Sequence, residues 1–161
     1  MTTSKHAEEL LQRSAITTAV PDHVATATLV IRTKRPGFIE FTQEAARFVE
    51  EVGARDGVLM LFLRHTSASL VIQENADIDV QTDLLMALDR LAPTDAGWVH
   101  TTEGQDDMPA HVKAMVNGVS MHIPVIGGVL ALGTWQGIYL VEHRAQPHRR
   151  QVVLQFIGTR K

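Results

Sequence analysis

The sequence predicts an α+β fold, an antiparallel β-sandwich accompanied by two to three helices. The chain has 161 residues, of which 45% are apolar, and this suits one globular domain with a sizeable core. Beyond residue 118 it consists of short runs rich in Val, Leu and Ile that are separated by glycine or proline. Helical periodicity is confined to a few segments that do not alternate with strands, which favours antiparallel sheets over βαβ units.

Residues 1–21 are expected to be an N-terminal extension, mobile or weakly docked, and residues 22–161 a single domain. The extension has a helical pattern over residues 5–13, but isolated helices of this length are marginal in water. Glu8 and Glu9 stand where a signal peptide needs an apolar run, and no apolar stretch approaches the roughly 20 residues that cross a membrane. We therefore expect a cytoplasmic protein with no membrane partner.

The elements of the domain follow from periodicity and from turn residues. Strands are expected over residues 24–33, 58–63, 119–125, 129–135, 138–143 and 151–157, and helices between Thr42 and Gly53, over residues 78–91 and from Pro109 to Asn117. Thr42 is expected to cap the first helix, and Asn75 or Asp77 the second. The continuously apolar run 58–63 is expected to be a central strand, covered on both faces or packed into an assembly.

Charge and composition exclude several kinds of site. The formal net charge of −3 gives no electrostatic reason to expect nucleic acid as a partner. The absence of cysteine excludes disulfides, thiolate metal sites and cysteine nucleophiles. Neither a P-loop nor the dinucleotide-binding GxGxxG pattern is present. Any metal site must therefore use the eight histidines together with oxygen ligands.

The stretch RHTSASLVIQENAD, residues 64–77, carries polar side chains at both ends of a strand-like core. They are His65, Thr66 and Ser67 at the start, and Glu74, Asn75 and Asp77 at the end. Hydroxyls beside a histidine can bind a phosphate or attack a carbonyl. Asn75 and Asp77 suit helix capping, whereas Glu74 has no such local explanation. Two interpretations stay open here: ordinary edge and capping chemistry, or functional sites at the strand ends.

Two further histidines stand near carboxylates. His111 borders the apolar stripe of the third helix, one turn after Asp106 and Asp107. Carboxylates at this position commonly interact with a helix N-terminus, but beside a histidine they also suit a metal or general-base cluster. His100 lies in the long polar loop, on the same side of an extended triplet as Trp98. The structural alternatives are a core-boundary residue for His111 and a solvent-exposed loop residue for His100.

A basic stretch near the end of the sequence contains His143, Arg144, His148, Arg149 and Arg150. Most runs of this kind are solvated turns. The alternative is an anion clamp, because guanidinium groups present planar, bidentate donors to phosphate. From the residues alone, the sequence indicates an α+β domain with a histidine and carboxylate site and the means to bind an anion.

Five segments, taken in order, resemble the YjbQ-like family, small bacterial and archaeal proteins often labelled secondary thiamine-phosphate synthase enzymes. They are RHTSASLVIQENAD, the triplet at residues 98–100, DDMPAHVKA, GVLALGTWQGIYLVEHR and RRQVVLQFIG. The resemblance covers residues 24–160, and HTSAS followed by LGTWQGI is its most specific part. It implies an antiparallel α+β sandwich that assembles as a homotrimer, with sites near subunit boundaries.

The implied reaction joins hydroxymethylpyrimidine diphosphate to thiazole phosphate and releases diphosphate, whose charge a divalent cation or an arginine clamp would stabilise. Through the resemblance, His65, His100 and His111 are candidate ligands of a divalent metal, zinc or magnesium. The candidate catalytic residues are His65, Glu74, Asp77 and Asp107, and the candidate substrate-binding residues are Thr66, Ser67, Asn75, Arg144 and Arg149. Where this chain has Asp107, the family more often has asparagine.

Two alternatives to the synthase reaction stay open. One is a metal- or anion-binding trimeric protein whose assembly matters more than catalysis. The other is a metal-dependent hydrolase of a phosphorylated metabolite, in which the same cluster would activate water. A phosphorylated small molecule is the expected partner of either enzyme.

Overall fold

The computed structural model of the protein describes residues 11–161, which form eight strands and three helices. The strands are β1 His23–Arg32, β2 Gly37–Glu40, β3 Ala54–Leu63, β4 Ala68–Glu74, β5 Ser120–Ile126, β6 Val129–Leu130, β7 Gln136–Glu142 and β8 Arg149–Arg160. The helices are α1 Thr42–Glu51, α2 Ile78–Leu91 and α3 Asp107–Asn117. Most of the helix predicted over residues 5–13 lies outside the described residues, and residues 11–22 have no regular structure.

Two antiparallel sheets form the fold. The larger has the strand order β1-β8-β3-β5-β6 and the smaller has the order β2-β7-β4. One hydrophobic cluster includes Leu59, Leu61 and Phe156 from the larger sheet and Leu70 and Leu140 from the smaller. The predicted antiparallel α+β fold with two to three helices is confirmed. No helix within residues 11–161 is long and apolar enough to span a membrane.

β3 is central in its sheet, as predicted, because it pairs with β8 on one side and β5 on the other. Its inner face is fully buried through Leu59, Leu61 and Leu63, whereas Phe62 on the outer face is 51% exposed. The continuously apolar run is therefore covered on only one face within a single chain. The apolar outer face is available for packing against another molecule.

Two predicted helix starts differ from the structure. Thr42 does not cap α1: its hydroxyl donates to Glu40 at 2.8 Å and accepts from the N–H of Ile138 at 2.8 Å, so a contact with β7 occupies it. α3 begins at Asp107, two residues before Pro109. The predicted cap of α2 is present, since the Asp77 carboxylate accepts the N–H of Asp79 at 2.9 Å.

The strand predicted over residues 129–135 is mostly a turn. Only Val129–Leu130 pairs with β5. The chain then turns where the N–H of Gly133 donates to the side chain of Gln136 at 2.8 Å. The apolar composition predicted a longer strand, but residues 131–135 form no strand.

Candidate functional site

His100, Asp107 and His111 meet at the N-terminal end of α3. One nitrogen or oxygen atom from each lies within 4.8 Å of the others. Asp107 and His111 are four residues apart on α3 and share a face of the helix. His100 comes from the preceding loop, where the Trp98 indole donates to the carbonyl of Pro93 at 2.7 Å and restrains the loop. Two segments thus build the group, which we call the His–Asp–His cluster.

One carboxylate oxygen is the focus of this cluster. Oδ2 of Asp107 lies 2.7 Å from Nε2 of His100 and 3.2 Å from Nε2 of His111. The Asp107 side chain is only 2% exposed, but those of His100 and His111 are 43% and 33% exposed. The carboxylate is therefore buried, while the two rings that cover it face solvent.

The hydrogen bond of His111 to Thr66 fixes which ring nitrogen carries a proton. Nδ1 lies 2.9 Å from the carbonyl oxygen of Thr66, and because a carbonyl only accepts, Nδ1 must donate. In the neutral ring the Nε2 lone pair then faces the Asp107 carboxylate. The Nε2 lone pair of His111 and Oδ2 of Asp107 repel each other at 3.2 Å. A cation shared by the two atoms, either a proton or a metal ion, would remove this repulsion. Metal-bound histidines usually make the same hydrogen bond through their other nitrogen.

Arg144 holds the other oxygen of Asp107. Its Nη1 donates to Oδ1 of Asp107 in a short contact, its Nε donates to Asp106 at 3.0 Å, and its Nη2 donates to the carbonyl of Glu103 at 2.7 Å. Arg144 was predicted to bind substrate, but all three of these nitrogens point into the protein. In this arrangement it fixes Asp107 and leaves Oδ2 to the histidines.

Both carboxylates beside Arg144 stay ionised. Burial alone would raise the pKa of Asp107, but the hydrogen bond from His100 and the charge of Arg144 outweigh burial and lower that pKa. Burial acts in the same way on Asp106, whose pKa is lowered by the N–H of Ala145 at 2.8 Å and by Arg144. Asp107 therefore carries a negative charge at neutral pH.

The donor set fits a small divalent transition metal. Zinc binds imidazole nitrogen and carboxylate oxygen at about 2.0–2.2 Å, so donors that share a tetrahedral ion lie roughly 3.3 Å apart. The 3.2 Å between His111 and Asp107 already matches this value. His100, at 2.7 Å, would have to move outward by roughly half an ångström, which its exposed loop position permits. Magnesium, which prefers oxygen ligands, fits the two imidazoles less well.

His65, the third predicted metal ligand, does not join the cluster. Its Nε2 accepts the N–H of Gln151 at 2.9 Å. Burial, helped by the charge of Arg150, lowers the pKa of His65, so the ring is neutral and carries its proton on Nδ1. Thr66 contributes its carbonyl and not its hydroxyl to the cluster, and the carbonyl of buried Ser67 accepts from Arg150 at 3.3 Å.

The other predicted site residues lie elsewhere. Glu74 is the last residue of β4, and Asn75 and Asp77 follow it. The seven residues of the strand place all three roughly 20 Å or more from residues 65–67. Glu74 lines a separate cleft of about 540 Å³ with Trp135. Arg149 is exposed at the start of β8. Within one chain, the structure does not bring these four residues into the cluster.

Glu142 is a buried carboxylate that was not predicted as a site residue, and it positions Arg144. Glu142, with no exposed surface, accepts from Arg150 at 2.8 and 2.5 Å and from the hydroxyl of Thr33 at 2.7 Å. It also accepts the backbone N–H groups of His143 and Arg144 at 3.0 Å each, and so orients the residue that holds Asp107. These contacts outweigh the effect of burial, which alone would raise the pKa of Glu142, and lower that pKa. Its signal in the sequence was an acidic residue ending the apolar run GIYLV.

A buried histidine, His143, directly follows Glu142. His143 Nε2 is 2.9 Å from the hydroxyl of Ser69, which also accepts from the Asn117 amide at 3.0 Å. Burial, with the nearby charge of Lys113, lowers the pKa of His143 to about 4. This ring is neutral and enclosed, which distinguishes it from the two exposed rings around Asp107.

Comparison with known proteins places this chain in a family. Residues 27–159 match the family described as UPF0047 protein YjbQ-like. The chain belongs to this family. A UPF0047 protein of Synechocystis is 47% identical over 131 residues, which cover 81% of this chain and 89% of that protein. YjbQ of Salmonella typhimurium is 40% identical over 132 residues, which cover 81% and 96%.

Solved structures agree with this assignment. A YjbQ/UPF0047 family protein of Clostridium acetobutylicum superposes with a TM-score of 0.76 at 37% identity, covering 81% of this chain and 98% of its own. A hypothetical protein of Aeropyrum pernix gives a TM-score of 0.78 at 29% identity, covering 84% and 99%. The resemblance drawn from the five sequence segments is confirmed.

Proposed function

We propose that this protein is a metal-dependent enzyme acting on a small phosphorylated substrate, with thiamine phosphate formation as the reaction to test first. The observation that carries the proposal is the single oxygen of Asp107 faced by two imidazole nitrogens at 2.7 and 3.2 Å. Arg144 neutralises the other oxygen, and Thr66 orients His111. The preorganised, solvent-facing donor set is typical of a metal site.

The arrangement suits catalysis better than a closed structural site. Three protein ligands leave a position for water or substrate, and a bound divalent metal would stabilise charge on a leaving group or activate water. His111 also lines a cleft of about 290 Å³ whose walls include Ala114, Met115 and Val119. Such apolar walls beside a charged centre suit a substrate that joins a compact ring to a phosphate.

The synthase reaction and the hydrolase alternative differ in the bond that breaks. In the synthase reaction, the bond between the pyrimidine methylene carbon and the diphosphate oxygen breaks, and the diphosphate keeps the electron pair. The thiazole nitrogen supplies the pair for the new C–N bond. In the hydrolase reaction, water attacks phosphorus and a P–O bond breaks. The family resemblance favours the first, whereas the metal donors support both.

The first experiment measures the metal content of the purified protein after dialysis, by elemental analysis. The wild type is compared with His111→Ala and with a control, His122→Ala, because His122 is an exposed histidine on β5 outside the cluster. We expect stoichiometric zinc or a similar metal in the wild type and His122→Ala, and its loss in His111→Ala. A wild type that takes up no metal, even after incubation with zinc, would overturn the proposal.

The second experiment separates the two reactions. Metal-loaded protein is incubated with hydroxymethylpyrimidine diphosphate, with and without thiazole phosphate, and thiamine phosphate and diphosphate are quantified. The synthase predicts both products only when both substrates are present. A hydrolase would release phosphate or diphosphate without the thiazole. Metal binding with no turnover of either kind would leave only the metal-binding interpretation.

We also propose that the chain forms the homotrimer that the resemblance implied. Support comes from apolar side chains that one chain leaves uncovered: Leu91 at the end of α2 is 55% exposed, and Phe62 on the outer face of β3 is 51% exposed. Light scattering coupled to size exclusion should give three times the mass of 17.8 kDa, and Phe62→Glu or Leu91→Glu should lower it. A monomeric wild type would contradict the proposal.

A further inference from the structure

A cleft of about 600 Å³ lies between the β1–β2 connection and α2. Arg32, Lys34 and Arg35, all exposed, give it three positive charges. Neutral polar groups come from Gln81 and Thr82, and apolar walls from Phe38, Ile39, Ile78 and Leu85. None of the described residues that line it carries a carboxylate, and none belongs to the His–Asp–His cluster. We call this space the basic cleft.

The positive charge of the basic cleft is increased by a neighbouring strand. Arg32 at the end of β1 lies directly opposite Arg149 at the start of β8 in the antiparallel register, and both are exposed. Like charges at directly opposite positions destabilise a sheet. No ion pair found within residues 11–161 involves Arg32, Lys34, Arg35 or Arg149. The chain as a whole has a net charge of −3, so four unpaired basic residues at one place are unusual. Such a concentration of positive charge favours the binding of an anion.

We propose that the basic cleft, extended by Arg149, is a second binding site that takes a small phosphorylated molecule carrying an apolar ring. Guanidinium groups suit a phosphate through paired hydrogen bonds, and the apolar side chains of α2 and β2 would contact the ring. A volume of about 600 Å³ is in the usual range for small-molecule sites. The site needs no metal, so it goes beyond the proposed catalytic centre.

This assignment separates the two arginines that the sequence placed in one anion clamp. The donors of Arg144 are directed at Asp106, Asp107 and Glu103. Arg149 instead pairs with Arg32 in the antiparallel register, which places it next to a residue that lines the basic cleft. Arg144 and Arg149 come from the same basic stretch of the sequence but lie in two different parts of the fold.

Calorimetric titration of the full-length, chelator-treated protein at low ionic strength tests the proposal with phenyl phosphate and inorganic phosphate. We expect phenyl phosphate to bind at least about tenfold more tightly, because its ring adds apolar contact area. The double variant Arg32→Gln/Arg35→Gln and the single variant Arg149→Gln should each weaken binding, the double variant by roughly tenfold or more.

Two controls distinguish this site from general attraction and from the metal centre. Arg160→Gln removes an exposed arginine at the other end of β8, where it pairs with Ala54, and should leave binding unchanged. His111→Ala should also leave binding unchanged, whether or not the proposed catalytic function survives. The proposal is overturned if no phosphate probe binds, if Arg160→Gln weakens binding as much as Arg149→Gln, if the ring gives no advantage, or if His111→Ala abolishes binding.

Discussion

Arg150 and Glu142 form one buried arginine–carboxylate pair, and Arg144 and Asp107 form another nearby in the fold. Both oxygens of Glu142 are occupied by protein donors, from Arg150, Thr33 and two backbone N–H groups. Asp107 has one oxygen bound by Arg144 and leaves the other to two exposed imidazoles. Protein donors therefore occupy both oxygens of Glu142, whereas one oxygen of Asp107 faces only the two imidazole rings.

The number of protein donors explains this difference. A carboxylate whose lone pairs are all taken by buried donors is a structural element, and removal of its charge leaves an arginine without a partner. A carboxylate with one oxygen facing exposed, titratable rings can exchange a proton or accept a metal. Three predictions test whether the two pairs differ in this way, and a fourth concerns His143, which directly follows Glu142.

The largest effect is expected from Glu142→Gln. The change leaves the buried Arg150 without its charge partner and should lower the free energy of unfolding by roughly 3–5 kcal/mol. Urea unfolding measures the loss. Glu44→Gln is the control, since its ion pair with Arg47 is exposed and should contribute less than about 1 kcal/mol. A loss for Glu142→Gln no greater than that of the control would show that this pair is not a structural one.

Asp107→Asn should act on metal affinity more than on stability. Loss of the anionic ligand should weaken zinc binding by roughly 100-fold or more, measured by competition with a chromophoric chelator. The unfolding free energy should fall by less than in Glu142→Gln, because Arg144 keeps its contact with Asp106. The control is Asp83→Asn, which changes an exposed carboxylate on α2. The opposite pattern, unchanged affinity and a large stability loss, would make both pairs structural.

The third prediction concerns pH and His143. Its pKa of about 4 in the folded protein lies below the ordinary value of 6.5, so the unfolded chain binds this proton more readily. Its contribution to stability is complete above pH 6.5 and is lost as pH falls toward 4. Between pH 7.5 and 5 the loss should be roughly 2 kcal/mol. Urea unfolding of His143→Gln should show a smaller change over this range, and an equal change would contradict the assignment.

Asp106→Asn should have the smallest effect. Asp106 touches the cluster only through Arg144 and the N–H of Ala145. Its neutralisation should loosen Arg144 and lower zinc affinity by roughly tenfold, while the free energy of unfolding changes by less than in the other variants. An affinity loss as large as that of Asp107→Asn would mean that Asp106 is itself a ligand.

Local sequence signals predicted the elements and part of the site. The spacing of four between Asp107 and His111 is enough to place them on one helix face, and His100 precedes them by only a short loop. Proline and glycine gave the approximate helix ends. Such signals depend only on neighbouring residues, so they can be interpreted before any tertiary contact is known.

Contacts between distant segments could not be predicted in this way. Arg144 reaches Asp107 across 37 positions, and Gln151 engages His65 across 86. The first contact depends on where β7 ends and the second on where β8 enters its sheet, and the sequence pattern specifies neither. The hydroxyl of Thr42 was misassigned for the same reason, because β7 supplies its partner.

The position of β8 between β1 and β3 has a consequence for biosynthesis. Residues 149–160 must leave the ribosome before the larger sheet can close, since β1 has no other partner in that sheet. Until then the nascent chain exposes two unpaired strand edges, and Arg144 has no fixed place from which to hold Asp107. If the cluster binds the metal proposed above, capture of that ion follows closure of the larger sheet and does not guide folding.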